Sequence, residues 1–214
     1  MKYTLFKDRF DALEPYIKDK KVLDIGCVDA RPDGQKKYAS TGLHLFLKEH
    51  ASELLGIDAD RSGIEQMIKD GYNVIVGDAE KLNLDKKFDC IVAGELIEHL
   101  SNPGLFLESA RNHLKEGGML IITTANAFGI VNFFRILRNK RIKVHAEHTC
   151  WYDPVTLTQL LSRYSFLPEN IYFSNKTRWY RKWYFNKLKY QIPRFVAYLR
   201  PYFSGVVIVI AKKQ

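Results

Sequence analysis

At 214 residues the chain is long enough for one substantial domain and too short for two ordinary ones. A composition of 46% hydrophobic and 27% charged residues, with no repeat or low-complexity tract, excludes disordered and fibrous classes. The formal charge of +9 suits an anionic partner, and three widely spaced cysteines (Cys27, Cys90 and Cys150) exclude a disulfide framework and point to a reducing cytoplasm.

The opening MKYTLFKDRFDALEPYIKDK is charged throughout and does not read as a signal peptide. Within it, Leu5, Phe6, Phe10, Leu13 and Tyr16 or Ile17 share one face and predict an amphipathic helix over about residues 5–17. Short apolar runs follow: KVLDIG (21–26), ELLGID (53–58), NVIVGD (73–78), FDCIVA (88–93), GMLIITT (118–124), NIYFS (170–174) and GVVIVIA (205–211). Helical patterns lie between them near 44–51, 61–70, 103–115 and 154–163. Continuous apolar runs separated by helices predict a parallel sheet buried on both faces, so the expected fold is a doubly wound, seven-stranded, Rossmann-like α/β domain spanning 1–214.

Two segments exceed that minimal unit. Residues 29–43 lengthen the turn after the first strand, and about 175–204 form a basic, aromatic insertion before the last one. The longest mostly apolar stretch, Met119 to Leu137, is interrupted by Thr123, Thr124, Asn126, Asn132 and Arg135 and does not read as a membrane span. Its second half predicts an amphipathic element, with Ile130, Phe133, Phe134 and Leu137 as the apolar stripe beside Arg135, Arg138, Lys140 and Arg141. Asp153 and Pro154 fit the N-cap and first position of the helix near 154–163. Residues 178–190 predict a further wheel, with Arg178, Lys182 and Lys189 opposite Trp179, Tyr180, Trp183, Tyr184 and Leu188. No acidic residue follows Glu169, whereas ten of the 33 basic residues do. The excess positive charge therefore belongs to the tail.

Ligands of open α/β sheets bind beyond the carboxyl ends of the strands. At the first such end, Gly26 lets the backbone approach a ligand and Asp24 can meet an ammonium group. At the second, the Asp58 carboxylate can accept both hydroxyls of a ribose, which argues for an adenosine-containing cofactor. At the third, Asp78 is placed to accept from an adenine amino group; at the fourth, Glu95 borders the meeting point of cofactor and substrate.

VLDIGC, LLGIDAD, VGDAEKLNL, FDCIVAGELIEHL and LKEGGMLIITTAN, in that order and spacing, resemble the successive motifs of class I S-adenosylmethionine (SAM)-dependent methyltransferases, of the type 11 and type 23 kind. The resemblance implies SAM as cofactor, contacts from Asp24, Gly26, Cys27, Asp58, Ala59, Asp78, Ala79 and Glu95, and an antiparallel last strand, GVVIVIAKK. The first turn departs from the family's DxGxGxG: Val28 and Ala30 stand where the next two glycines would be. A β-branched residue does not take positive φ comfortably, so the turn must have another shape.

The absence of an Asn/Asp-Pro-Pro-Tyr/Phe run after the fourth strand favours oxygen over amino-group methylation. Glu95, Glu98 and His99 are spaced i, i+3 and i+4 and would share a face if helical. With His148 or His145 they suit a divalent Mg, Mn or Zn ion. This pattern is similar to the metal sites of small-RNA 3′-terminal 2′-O-methyltransferases and ubiquinone-pathway O-methyltransferases. The same residues suit a metal-free site, with Glu95 near the cofactor and His99 or His148 as base or substrate contact. Residues 147–154, with His148, Trp151 and Pro154, resemble the H-x-x-W/F-x-x-P segment of enzymes that modify glycans or lipid-linked precursors, although Trp151 also suits core packing.

The expected function is O-methylation of a small-molecule, glycan or lipid-linked substrate in the cytoplasm, with peripheral contact to an anionic membrane through the basic, aromatic elements. Two alternatives stand beside it. One is a metal-assisted RNA ribose 2′-O-methyltransferase; the other is a non-catalytic module of the same fold that binds anionic lipid or nucleic acid.

Overall fold

The structure, a computed structural model, describes residues 3–28, 42–142, 144–175 and 191–214. The N-terminal apolar pattern resolves into two elements rather than one helix. Strand β1 covers Thr4–Phe6, and helix α1 covers Arg9–Ile17. The Asp8 side chain accepts from the Phe10 amide and caps the helix there, which leaves Leu5 and Phe6 in the extended segment.

Parallel strands and helices then alternate: β2 (Lys21–Ile25), α2 (Leu43–His50), β3 (Glu53–Asp58), α3 (Arg61–Lys69), β4 (Val74–Val76), β5 (Phe88–Gly94), α4 (Pro103–His113) and β6 (Leu114–Ala125). After α5 (Ile130–Leu137) and α6 (Pro154–Arg163) come β7 (Phe166–Ser174), α7 (Gln191–Leu199) and β8 (Val206–Lys213). The described strands form one eight-stranded sheet in the order β1-β7-β8-β6-β5-β2-β3-β4. Seven of them are the apolar runs of the sequence. The eighth, β1, is a three-residue edge strand parallel to β7, masked in the sequence by the helical periodicity that follows it. β8 is antiparallel to both β6 and β7, between which it lies.

Alternate residues of the central strands feed two cores, as a sheet covered on both sides requires. Leu23, Ile91, Ile122 and Val209 face Phe106 and Ala110 of α4 and Leu157 and Leu161 of α6. Val22, Val92, Ile121 and Ile208 face Phe10 and Leu13 of α1 and Phe46 and Leu47 of α2. Each such aliphatic side chain contributes about 1.5–3 kcal/mol by leaving water. The expected cap of α6 is formed as a capping box, with the Asp153 carboxylate accepting from the Val155 and Thr156 amides.

The predicted apolar stripe of α5 is helical but does not pack into a core. Ile130 is buried, whereas Phe133 and Leu137 are 51% and 64% exposed. Helix α7 contacts α5 and exposes Phe195, Tyr198 and Leu199. The wheel expected over 178–190, and Ala30, lie outside the described residues. Among the described residues, no helix is long and apolar enough to cross a membrane.

Candidate active site

The carboxyl ends of β2, β3 and β4 enclose a cleft of about 110 Å³ lined by Ile25, Gly26, Ile57, Asp58, Ala59, Gly77, Asp78, Ala79, Leu96 and Leu100. Its floor is the turn after β2. Gly26 has φ +82°, and the Gly26 and Cys27 amides donate to the Ile57 carbonyl at 2.8 and 3.2 Å, folding the turn back onto β3. A side chain at Gly26 would be strained and would press on Leu96 at 3.3 Å.

The turn accommodates Val28 through a glycine elsewhere. A Cβ on Gly63 of α3 would fall 2.6 Å from a Val28 methyl, so its absence gives the valine its place. The Val28 amide donates to the Asp58 carboxylate at 3.0 Å, and the Asp60 amide donates to its other oxygen at 2.8 Å. Both oxygens of Asp58 are thus aimed by the backbone and retain lone pairs for a ligand. Burial raises the Asp58 carboxyl above the usual range. Asp78 accepts from the Glu80 amide at 2.9 Å and caps the 3-10 turn Ala79–Lys81.

Asp58, Ala59, Asp78, Ala79 and Gly26, all expected to contact the cofactor, line this cleft. Two other expected contacts lie differently. The Cys27 side chain is buried with Ile64, Met67 and Val74, so any contact with a ligand falls to its backbone. Asp24 does not line the cleft: it is 1% exposed, with one carboxylate oxygen 2.8 Å from Nδ1 of His44, itself 3% exposed. His44, on α2, was not singled out by the sequence reading. The available signal was Gly56, whose missing Cβ leaves room for the imidazole, since a Cβ there would lie 2.7 Å from the ring.

Beyond β5 the chain turns sharply. Glu95 adopts φ +52°, its amide donates to the Thr123 carbonyl at 2.7 Å, and its carboxylate pairs with Arg9 at 2.9 Å. A left-handed glutamate costs about 1–2 kcal/mol, and the Arg9 pair and the Thr123 bond hold it there. Arg9 is buried in the first turn of α1, where sequence alone reads as a charged surface.

The following helix is only the 3-10 turn Ile97–His99, so Glu95, Glu98 and His99 do not share a face as a longer helix would require. Glu98 points inward, 1% exposed, and accepts from the Ala125 amide at 3.3 Å. Burial pushes its carboxyl up to about 7. The expected metal set is thereby divided: Glu95 is paired with Arg9, Glu98 is enclosed, and His99 and His148 meet elsewhere.

They meet because Thr149 stitches two distant segments together. Its amide and hydroxyl donate to the Glu98 carbonyl at 2.8 and 3.1 Å, and the hydroxyl lies 2.9 Å from the Leu100 carbonyl. The His99 ring is consequently 4.5 Å from His148 and 5.6 Å from His145, centre to centre. Burial, and then the neighbouring imidazoles, lower the pKa of His148; burial and His145 do the same for His99. These rings therefore favour the neutral form. Beside them opens a second cleft, of about 350 Å³, lined by Ile142, Val144, His148, Thr149, Cys150 and Trp151.

Comparison with known proteins identifies the family and the fold. A family profile described as a methyltransferase domain matches residues 1–167. The ubiquinone biosynthesis O-methyltransferase of Paraburkholderia phytofirmans is 27% identical over 111 residues, covering 52% of this chain and 47% of that protein. The protein of the same description from Pelagibacter ubique is 28% identical over 160 residues, covering 68% and 61%. The chain spans about half the length of the first of these relatives. A SAM-dependent methyltransferase from Thermotoga maritima shares the fold with a TM-score of 0.65 at 17% identity, over 96% of this chain and 87% of that one. One from Archaeoglobus fulgidus does so at 0.63 and 20% identity, over 96% and 91%.

Proposed function

This chain belongs to the class I SAM-dependent methyltransferases, and on that premise we propose that it methylates a hydroxyl of a small-molecule, glycan or lipid-linked acceptor at an anionic membrane surface. SAM, when bound, supplies a methyl group activated by its sulfonium. The cleft at β2–β4 fits its adenosine part: Asp58 and Asp78 offer acceptors for hydroxyl and amino groups between apolar walls of Ile57, Leu96 and Leu100.

The observation that carries the acceptor assignment is the packing of His99 against His148, ring centres 4.5 Å apart, beside the second cleft, where burial lowers the pKa of both. A neutral imidazole offers its lone pair to the acceptor's hydroxyl proton or to a divalent cation. Ile142, Val144 and Trp151 make an apolar wall, suited to a ring or chain bearing that hydroxyl. Exposed Val131, Phe133, Ile136 and Leu137 on α5 adjoin Arg135, Arg138, Lys140 and Arg141, a composition that suits a lipid headgroup boundary.

The test has two stages. Calorimetry with S-adenosylhomocysteine (SAH) should show one site per chain; a folded protein that binds neither SAH nor SAM refutes the enzyme reading. Labelled methyl from SAM should then enter hydroxyl-bearing amphiphiles in lipid extracts. Transfer to RNA oligomers, with none to lipids, would replace this reading with a ribose methyltransferase.

A further inference from the structure

We infer that His44 is a positioning residue for the cofactor site: bonded to Asp24, it keys the first turn of α2 to β2 and so sets the part of the site that takes the amino-acid end of SAM. This role rests on the methyltransferase reading, whereas the keying of α2 does not. The strands stand in the order β5-β2-β3-β4, and the acids that suit adenosine, Asp58 and Asp78, end β3 and follow β4. The second cleft lies beyond β5, beside His148. The rest of the cofactor must therefore run back over β2, where Asp24 and His44 meet.

Helix α2 follows the long segment inserted after β2, so local sequence does not fix where its first turn lands. Two strand glycines do. A Cβ on Gly94 of β5 would collide with Leu43, and a Cβ on Gly56 of β3 would fall 2.7 Å from the His44 ring. Gly56 is also the cross-strand neighbour of Asp24. In the space so left, Nδ1–H of His44 donates to one Asp24 oxygen at 2.8 Å, and the two residues are 3% and 1% exposed. Tyr72 lies edge-on to the imidazole, ring centres 5.5 Å apart, and Lys48 Nζ sits 4.4 Å from the Tyr72 ring centre.

A buried polar pair is a poor device for holding a helix, since apolar residues of the same volume often stabilise as well or better. What the pair supplies is direction. The other Asp24 oxygen is buried and has no partner among the described residues. Among those residues one further carboxylate oxygen is in that state, on Glu98, whose carboxylate accepts from the Ala125 amide at the end of β6. Asp24 instead stands two residues before Gly26, which lines the cofactor cleft. A carboxylate enclosed by protein is weakly screened, so it attracts an ammonium beyond β2 whether the two touch or a water bridges them. By occupying one oxygen, His44 aims the other. Without it the carboxylate is free to turn, and the first turn of α2 loses its polar anchor.

The test compares SAH with 5′-methylthioadenosine, which has the same adenosine and sulfur but no amino-acid end. Both are titrated by calorimetry into the full chain and its His44 variants, and the wild type should bind SAH more tightly. His44→Phe keeps a ring over Gly56 and loses the donor. It should weaken SAH binding by roughly 10- to 30-fold and methylthioadenosine binding by less than about threefold. His44→Asn puts an amide nitrogen near the place of Nδ1 and should recover most of the SAH affinity. His44→Gln, whose nitrogen stands nearer the place of Nε2, should not. General support of the fold would instead lower both affinities together. Equal losses for the two ligands, unchanged SAH binding in His44→Phe, or rescue by Gln as good as by Asn overturns the role. If His44→Phe does not fold, the Asn and Gln pair still decides. Such a result with both ligands bound by the wild type refutes only the role of His44, whereas a wild type that binds neither refutes the methyltransferase reading with it.

Discussion

The two halves of the sheet's carboxyl edge are built on opposite plans. On the cofactor side, Asp58 and Asp78 are aimed by amides within their own turns or the adjacent one, namely Asp60, Glu80 and Val28. On the side proposed for the acceptor, Glu95 depends on Arg9, 86 positions earlier, and His99 depends on Thr149, about 50 residues away. Several polar atoms there have no partner among the described residues, including those of Glu98, His148 and Trp151. Local hydrogen bonds fix the geometry of a constant ligand. Long-range contacts, with polar atoms left over, suit a site whose partner completes it.

The largest effect should come from breaking the cofactor side. Asp58→Ala removes the acceptor for two hydroxyls, and SAH affinity measured by calorimetry should fall by about 100-fold, equivalent to about 3 kcal/mol. The fold should survive, because Asp58 lies at a strand end rather than in a core.

The next sharpens the acceptor side. The Glu98 carboxyl holds its proton up to about pH 7 when folded, against an ordinary value of 4.5. Between those values the native state binds more protons than the unfolded one, so this group's contribution to stability falls as pH rises. Glu98→Gln should therefore stabilise the protein at pH 8 by about 2 kcal/mol and have little effect at pH 4. Thermal melts across that range check it; an equal shift at both pH values would contradict the burial argument.

A smaller effect concerns the outer face of the acceptor side. Replacing Arg135 and Arg138 by Gln should weaken binding to vesicles of anionic phospholipid by roughly 10- to 30-fold, at about 1 kcal/mol per charge, and leave SAH binding intact. Co-sedimentation at two salt concentrations reads this out. The smallest effect returns to the cofactor turn: Gly63→Ala would crowd Val28 and weaken SAH binding by roughly 5- to 10-fold, an overpacking cost of about 1 kcal/mol. Adding Val28→Gly should restore the affinity, and failure to do so would show that the two residues are not coupled.

Much of the cofactor side was legible in the sequence because Asp58 and Asp78 stand at or just beyond strand ends and each accepts from an amide two residues on; only the Val28 bond to Asp58 comes from a distant turn. The seven apolar runs likewise each became a strand, since a buried parallel strand announces itself by composition. Strand β1 did not, because three residues at an edge carry too little pattern to compete with the helix beside them. The Glu95–Glu98–His99 spacing misled for a related reason: it assumes a helix, and a left-handed Glu95 followed by a single 3-10 turn sends the three side chains in different directions. His44 and Arg9 were missed because their partners, Asp24 and Glu95, are 20 and 86 positions away.

The sequence by itself determined the layered α/β architecture and the identity and order of the acids that end the strands. These rest on period-two burial and on hydrogen bonds a few residues long. Only the tertiary structure decided which side chains gather beyond β5 and beside the second cleft. It brought His145 to His99 and His148, withdrew Glu98 into the core, and left the apolar face of α5 exposed. Those outcomes depend on how segments 50 to 100 residues apart settle against one another, and no local pattern encodes that settlement.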